Sequence, residues 1–435
     1  MATMLRNVKG TSDFLPEEQT ARRAIARTLE EVFERYGYQP LETPVVCYYD
    51  VLAAKYAGGA EILKEVYRLT DQGRRELALR YDLTVPFARV VGMNPQLKMP
   101  FKRYEIGKVF RDGPVKAGRS REFVQCDVDV VGVGTLLAEV ELLSLAADAF
   151  DRLGLPVRID YNNRKLLAGL TQAAGLPGEL AGEVILSLDK IAKIGRAAVA
   201  DEIAGKGAGR ESAEKLLEYL DIPPGELLGQ LERKQVNDLL REGMTELRAL
   251  ESYLAAAGLE GVTQFSPWLA RGLEIYTGTV WEVFLSDGTI SSSIGAGGRY
   301  DKIIGAFLDN GAEYPAVGMS FGLDVIHEAL RLGGKMPFRP PADVYIIPLG
   351  TEREILGLAS RLRASGVRVE LEMTGRKLRK ALDYVNKAGV PYAVIVGPDE
   401  LGRRTAKLRD MAGGREEELT WDELAARLRA ARGEF

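Results

Sequence analysis

The stretch Phe101-Lys102-Arg103-Tyr104-Glu105-Ile106-Gly107-Lys108-Val109-Phe110-Arg111-Asp112-Gly113-Pro114-Val115-Lys116-Ala117-Gly118-Arg119-Ser120-Arg121-Glu122-Phe123-Val124-Gln125-Cys126-Asp127-Val128-Asp129-Val130-Val131-Gly132 decides the fold. It predicts two strands joined by a basic loop. In the second limb Val124, Cys126, Val128 and Val130 alternate with Gln125, Asp127 and Asp129, and strand side chains repeat every two residues, so one face packs and the other presents an amide and two carboxylates. Between the limbs Gly113, Pro114 and Gly118 break the pattern, while Arg111, Lys116, Arg119 and Arg121 concentrate positive charge. From these residues alone two readings stand: a hairpin whose outer face is polar because water wets it, or a site holding a polyanion beside a small polar ligand.

Composition narrows the classes around that hairpin. A chain of 435 residues, 46% hydrophobic and 28% charged, can bury a sizeable core and is expected to divide into two or three domains. No apolar run approaches the roughly 20 residues that span a bilayer, and the N-terminal residues lack a signal-peptide core, so a cytoplasmic protein without membrane contact is expected. Two cysteines, Cys47 and Cys126, and one histidine, His327, leave no Cys/His metal site and no disulfide framework. His327 sits on an expected helix, Asp324–Leu332, after the apolar run Val317–Ile326, where a structural role is the simpler reading. A net charge of −4 means that any RNA contact must be a local patch.

N-terminal to the hairpin, Ile25, Leu29, Val32 and Phe33 mark one stripe of an amphipathic helix over about Glu17–Tyr36. Gly37 ends it, and Tyr38–Val46 reads as a strand whose Pro40 and Pro44 imply an edge or a bulge. In Leu77–Arg89, Asp82 and Thr84 share a face if extended and suit an ammonium group, or else mark a strand end or helix N-cap. After the hairpin, Thr135–Leu153 reads as a helix and Val157–Tyr161 as a strand, and residues 164–261 carry helical spacing interrupted by glycines. Three glycine-marked stretches follow: Leu269–Glu282, Ser291–Tyr300 running into Asp301, and Pro315–Gly322 leading into a helix. Glycines there allow close backbone approach to a ligand or simple bulges.

Residues 331–342 form a Gly/Pro linker, separating an expected first domain, 1–330 with its helical insertion 164–261, from a second, 343–435. In the second, strands expected at Asp343–Pro348, Val367–Met373 and Tyr392–Gly397 alternate with helices at Glu352–Ser365 and Arg376–Ala388. Ala406–Met411 and a last helix near Asp422–Ala431 complete it, giving a small α/β domain with a largely parallel sheet. Arg376–Arg409 carries nine Lys or Arg against three acids, which reads either as a phosphate-contact surface or as a solvated face.

Phe110-Arg111, the loop, and Phe123 twelve residues after Arg111 resemble motif 2 of the class II aminoacyl-tRNA synthetases, and Arg121–Asp129 narrows the likeness to the histidyl-tRNA synthetase family. Leu269-Ala270-Arg271-Gly272-Leu273-Glu274-Ile275-Tyr276-Thr277-Gly278-Thr279-Val280-Trp281-Glu282 resembles that family's characteristic peptide. The opening helix, strand and proline are similar to motif 1, and Pro315–Gly322 to motif 3. The resemblance implies an α+β catalytic domain on an antiparallel sheet with a helical insertion, followed by an α/β anticodon-binding domain. It implies ATP-dependent ligation of L-histidine to its tRNA through an adenylate, with ATP and Mg2+, in a homodimer.

Residue by residue, it places Arg111 and Arg271 as the catalytic pair and Asp82 and Thr84 on the substrate's amino group. Gln125, Asp129, Tyr276 and Tyr300 would hold the rest of histidine, and Arg111, Arg119, Arg121, Phe123 and Gly322 the ATP, with no metal held by Cys or His. The insertion would approach the tRNA acceptor end.

Two positions depart from the class pattern. Gly113 stands where motif 2 carries an acid two places after its arginine, and Val325 where motif 3 carries a phosphate-gripping arginine, a loss that Arg119 or Arg299 would have to offset. These departures keep open a non-charging paralogue that binds histidine as a regulatory subunit. Such regulators usually lack the C-terminal domain and the intact Arg271–Tyr276 peptide, both present here. A prolyl, threonyl or glycyl enzyme conflicts with that peptide and with the Gln125/Asp129 strand.

Overall fold

The computed structural model describes residues 4–55, 63–115, 119–233, 237–271, 275–308, 310–337 and 339–432. Lys116 and Gly118 of the basic loop, and Gly272, Leu273 and Glu274 of the Leu269–Glu282 peptide, lie outside the described residues. The chain divides into two units, Met1–Pro337 and Phe338–Phe435.

In the first unit the strands are β1 (Gln39–Pro40), β2 (Val46–Tyr48), β3 (Arg68–Thr70), β4 (Glu76–Leu79), β5 (Phe101–Phe110), β6 (Glu122–Val131), β7 (Val157–Asn163), β8 (Thr263–Phe265), β9 (Thr279–Leu285), β10 (Gly295–Arg299) and β11 (Ala316–Gly322). Eight form one sheet in the order β1-β5-β6-β11-β10-β9-β7-β8. It is antiparallel except at its margins, where β1 runs parallel to β5 and β8 parallel to β7. The small sheet β2-β4-β3 stands apart. The expected strand Tyr38–Val46 is thus two short ones: Pro40 ends an edge pairing and Pro44 lies between them, because proline cannot donate to a ladder.

Alternation in β6 sorts its side chains as the period of two requires. Cys126, Val128 and Val130 join a core with Ile25, Leu29 and Phe33 from the helix Pro16–Arg35 and with Phe150 from the helix Leu137–Arg152. Phe321 lies between Phe33 and Phe150, at ring separations of 5.5 and 5.4 Å. Burial of this apolar face, at roughly 25 cal/mol per Å2, fixes which face of the sheet remains for polar residues.

Between β7 and β8 the chain makes a run of helices from Arg164–Ala173 to Asp238–Ala256. A Cβ at Gly243 would come within 2.4 Å of the Leu166 backbone nitrogen, so glycine lets these two helices meet backbone to backbone.

The second unit has the sheet order β13-β12-β14-β15-β16, where β12 is Val344–Pro348, β13 Val369–Leu371, β14 Tyr392–Val396, β15 Thr405–Asp410 and β16 Glu416–Thr420. The expected largely parallel sheet is half antiparallel. The β12 pairings with β13 and β14 are parallel, but β15 runs back against β14 and makes a hairpin with β16. The short helix Pro398–Arg403 turns the chain around too quickly for a crossover.

Candidate active site

The polar face of β6 forms one wall of a cavity of about 490 Å3. Register explains how its carboxylates are tolerated there. Asp129 lies opposite Arg103 of β5 and opposite Gly318 of β11. Arg103 is fully buried and reaches Asp129 Oδ2 at 2.8 Å, with the Phe87 ring 4.4 Å from its guanidinium carbon. The Tyr300 hydroxyl donates to Asp129 Oδ1. A Cβ at Gly318 would stand 1.8 Å from that same oxygen, so only glycine leaves room for the carboxylate.

Two residues along, Asp127 is equally buried, and burial pushes its carboxyl up to about 7, against the opposing pull of Arg103. Gln125 donates to Ser320 Oγ at 2.8 Å, while its amide oxygen has no hydrogen-bond partner among the described residues. The floor therefore offers an amide oxygen, two carboxylates and a phenol within a small volume.

Two arginines also line the cavity. Arg111 leaves β5 with its guanidinium 4.4 Å from the Tyr81 ring centre and 4.9 Å from that of Phe123. Cation–π contacts on two rings fix its plane. Arg271 donates to Glu282 Oε1 at 3.2 Å and lies 5.5 Å from the Tyr276 ring. Burial pushes the Glu282 carboxyl and the Tyr276 phenol up, with Arg271 opposing both. Tyr276 itself sits over Gly298, where a Cβ would meet its ring at 2.7 Å.

Of the residues expected from sequence, Asp82, Thr84, Arg111, Phe123, Gln125, Asp129, Arg271, Tyr276, Tyr300 and Gly322 all line this one cavity. Asp82 and Thr84 do so from a helix N-terminus rather than a strand. The helix is Thr84–Met93, and Asp82 Oδ1 accepts the Val85 N–H at 3.0 Å. Arg119 and Arg121 are not among the lining residues. Arg119 pairs with Glu65, and Arg121 donates to the Gly113 carbonyl and faces Asp112 at 3.3 Å.

Arg299 corrects an expectation. It is clamped by Glu139 at 2.7 Å and Asp301 at 3.2 Å and lines a second cavity, of about 940 Å3, so it does not stand in for a motif 3 arginine at Val325. Val325 packs against the core. Its neighbour Asp324 accepts from Arg22 at 2.8 Å and from the Val124 N–H at 2.8 Å, tying the helix to β6. His327 is buried away from the cavity, and burial holds its imidazole below the usual range.

Sequence reasoning missed Glu282, Ser293, Ser320 and Asp189 as lining residues. Glu282 closed the quoted Leu269–Glu282 peptide, and period-two spacing on β9 was the signal available for it. Asp189, just past the helix Ala181–Leu188, brings the helical insertion to the cavity wall.

Comparison with known proteins bears on this geometry. A family profile described as Histidyl-tRNA synthetase matches residues 10–326, and one described as Anticodon binding domain matches 343–431. Histidine--tRNA ligase 1 of Bacillus thuringiensis subsp. konkukian is 54% identical over 413 residues, covering 95% of this chain and 97% of that protein. The histidyl-tRNA synthetase of Nostoc sp. PCC 7120 superposes with a TM-score of 0.85 at 29% identity, covering 99% of this chain and all of that one. A Bacillus halodurans structure titled ATP phosphoribosyltransferase regulatory subunit/histidyl-tRNA synthetase shares the fold, with a TM-score of 0.75 at 21% identity over 91% of this chain and 99% of that one.

Proposed function

We propose, because the chain belongs to the histidyl-tRNA synthetase family, that it activates L-histidine with ATP and transfers the histidyl group to the 3′ end of histidine tRNA. The observation that carries this reading is the convergence of Arg111 and Arg271 on the cavity whose floor holds Gln125 and Asp129.

The chemistry asks for positioning more than for reactive side chains. The substrate carboxylate attacks the α-phosphorus of ATP, pyrophosphate leaves, and the resulting acyl-adenylate is opened by a ribose hydroxyl with loss of AMP. Arg111 and Arg271 would neutralise the two anions as they approach and the charge that grows on phosphorus. Arginine suits both places because its planar fork matches carboxylate and phosphate geometry. Phe123 offers a face for the adenine, and Gly322 a close backbone approach.

Histidine selection follows from the floor. The Gln125 amide oxygen and the Asp129–Tyr300 pair would take the ring nitrogens, Tyr276 would cover the ring, and Asp82 and Thr84 would meet the ammonium group. A site built from buried polar groups rejects amino acids that leave them unpaired. Among the described residues no group of three or more His, Cys, Asp or Glu side chains could hold a metal ion. Magnesium would arrive with the nucleotide phosphates.

The second cavity shares Tyr276 with the first and is lined by Arg164 and Lys165 of the insertion and by Lys302. That supports an acceptor-end approach along the insertion, while the Phe338–Phe435 unit would read the anticodon. A homodimer goes with the reading, supported by the exposed Val45, Val46 and Tyr48, which follow the opening helix and β1 in the chain. No helix among the described residues is long and apolar enough to cross a membrane, and a cytoplasmic location fits the same reading.

The test is ATP–pyrophosphate exchange with a panel of amino acids. Exchange that depends on histidine supports the assignment. Equal activation by other amino acids overturns the specificity, and histidine binding without exchange favours a regulatory subunit.

A further inference from the structure

We propose that Glu65 is a positioning residue for the nucleotide end of the cavity, supplying from outside the hairpin the carboxylate that Gly113 fails to provide. The inference rests on the function proposed above and adds a residue to it.

Glu65 makes three contacts with the apparatus around Arg111. Its backbone carbonyl accepts the Asp112 N–H at 2.7 Å, on the outgoing limb of the loop. Its carboxylate accepts from Arg119 Nη2 at 2.7 Å, on the returning limb. The same carboxylate accepts from the Tyr81 hydroxyl at 3.3 Å, and the Tyr81 ring lies beneath the Arg111 guanidinium. The Glu65 backbone thus holds the outgoing limb, while its side chain couples the returning limb to the ring that supports the catalytic arginine.

The space around Gly113 tells the same story. A Cβ there would stand 2.8 Å from Glu65 Oε1 and 3.0 Å from Arg119 Nη2, so a side chain at 113 and the Glu65 carboxylate compete for one place. Asp112, the adjacent acid, is turned to Arg121 instead. Arg119 is 44% and Glu65 22% exposed, and a pair so open to water contributes little to stability. Its effect is on orientation.

The test uses the full chain and histidine-dependent exchange, with ATP and histidine varied separately. Glu65→Ala should raise the KM for ATP about tenfold and move the KM for histidine less than about twofold, with the urea midpoint unchanged. Glu65→Gln keeps the size and removes the charge. It should show the same ATP-directed loss, and it decides the matter if the alanine variant does not fold. Gly113→Glu alone should also weaken ATP, because two carboxylates then share one place. Combining Glu65→Ala with Gly113→Glu should bring the KM for ATP back to within about threefold of the parent.

A KM for ATP that stays put in both Glu65 variants overturns the proposal. So does a rise in both KM values with a lowered urea midpoint, which marks a merely structural role, or a double variant no better than Glu65→Ala. If the parent chain itself shows no exchange, the functional reading fails and this inference with it; a parent that exchanges beside unaffected Glu65 variants sinks this inference alone.

Discussion

Charged residues on the floor of the cavity and on the basic face of the second unit differ in what surrounds them. Arg103 and Asp129 are buried, and each is held by the next strand over. In the second unit, Arg403 and Arg409 face Glu418 and Glu416 across half-exposed pairs of 2.8 Å, and Lys407 reaches the largely buried Glu400 at 2.9 Å. Lys377, Arg379, Lys380, Lys387 and Arg404 are exposed. Removing one member of a buried pair strands the other in a medium that cannot solvate it, whereas removing an exposed charge returns the site to water. Charge in the cavity sets geometry, and charge on the basic face sets a field. Of the nine cations expected to form one phosphate-contact surface, four, Arg376, Arg403, Lys407 and Arg409, face glutamates, Arg376 on Glu372.

The sharpest way to break this contrast is Arg271→Ala. Loss of a charge-stabilising group in a site of this kind is expected to lower histidine-dependent exchange by about a thousandfold or more. A fall of less than about tenfold would mean that Arg271 is not aimed at the reacting phosphorus.

Next is Asp129→Ala, which leaves Arg103 buried without its carboxylate. Equilibrium unfolding in urea should show a loss of about 3–5 kcal/mol, and the KM for histidine should rise in the fraction that folds. A loss under about 1 kcal/mol would place this pair with the surface ones.

A smaller effect belongs to Asp127. Its folded-state carboxyl is raised, to about 7, so the stability it contributes is complete below the unfolded carboxyl range and is lost as pH rises through 7. Asp127→Asn should remove that loss. Measured from pH 5 to 8, the variant should gain on the parent as pH rises, and a gain in the opposite direction would show the carboxylate to be well paired.

Least perturbing are Lys380→Ala and Arg404→Ala. Each should weaken tRNA binding several-fold at low salt and lower the salt-dependence slope by about one, leaving amino-acid-dependent exchange unchanged.

How much of this was legible beforehand follows the same divide between local and distant contacts. The alternation from Val124 to Val130 is a local signal and gave the strand, its buried face and its polar face. The stripe Ile25, Leu29, Val32 and Phe33 did the same for the opening helix, which is observed at Pro16–Arg35. Arg271 and the glycines 297, 298 and 318 were visible through family likeness. Their physical reason was not: Gly298 makes room for Tyr276 and Gly318 for Asp129.

Contacts that join distant parts of the chain left no periodic trace. Gln125 meets Ser320 across 195 residues and Val124 meets Asp324 across 200. Glu65 reaches Arg119 across 54, from a segment with no motif to announce it. The strand Glu416–Thr420 escaped because its residues are largely exposed and mostly glutamate, so it has no apolar face to alternate.

A crystal structure with histidinol and ATP bound tests the central claim most directly. The account predicts the imidazole against Gln125 and Asp129 beneath Tyr276, the α-phosphate between Arg111 and Arg271, and the adenine on Phe123. An imidazole bound elsewhere, or either arginine turned away from the phosphate, would contradict it.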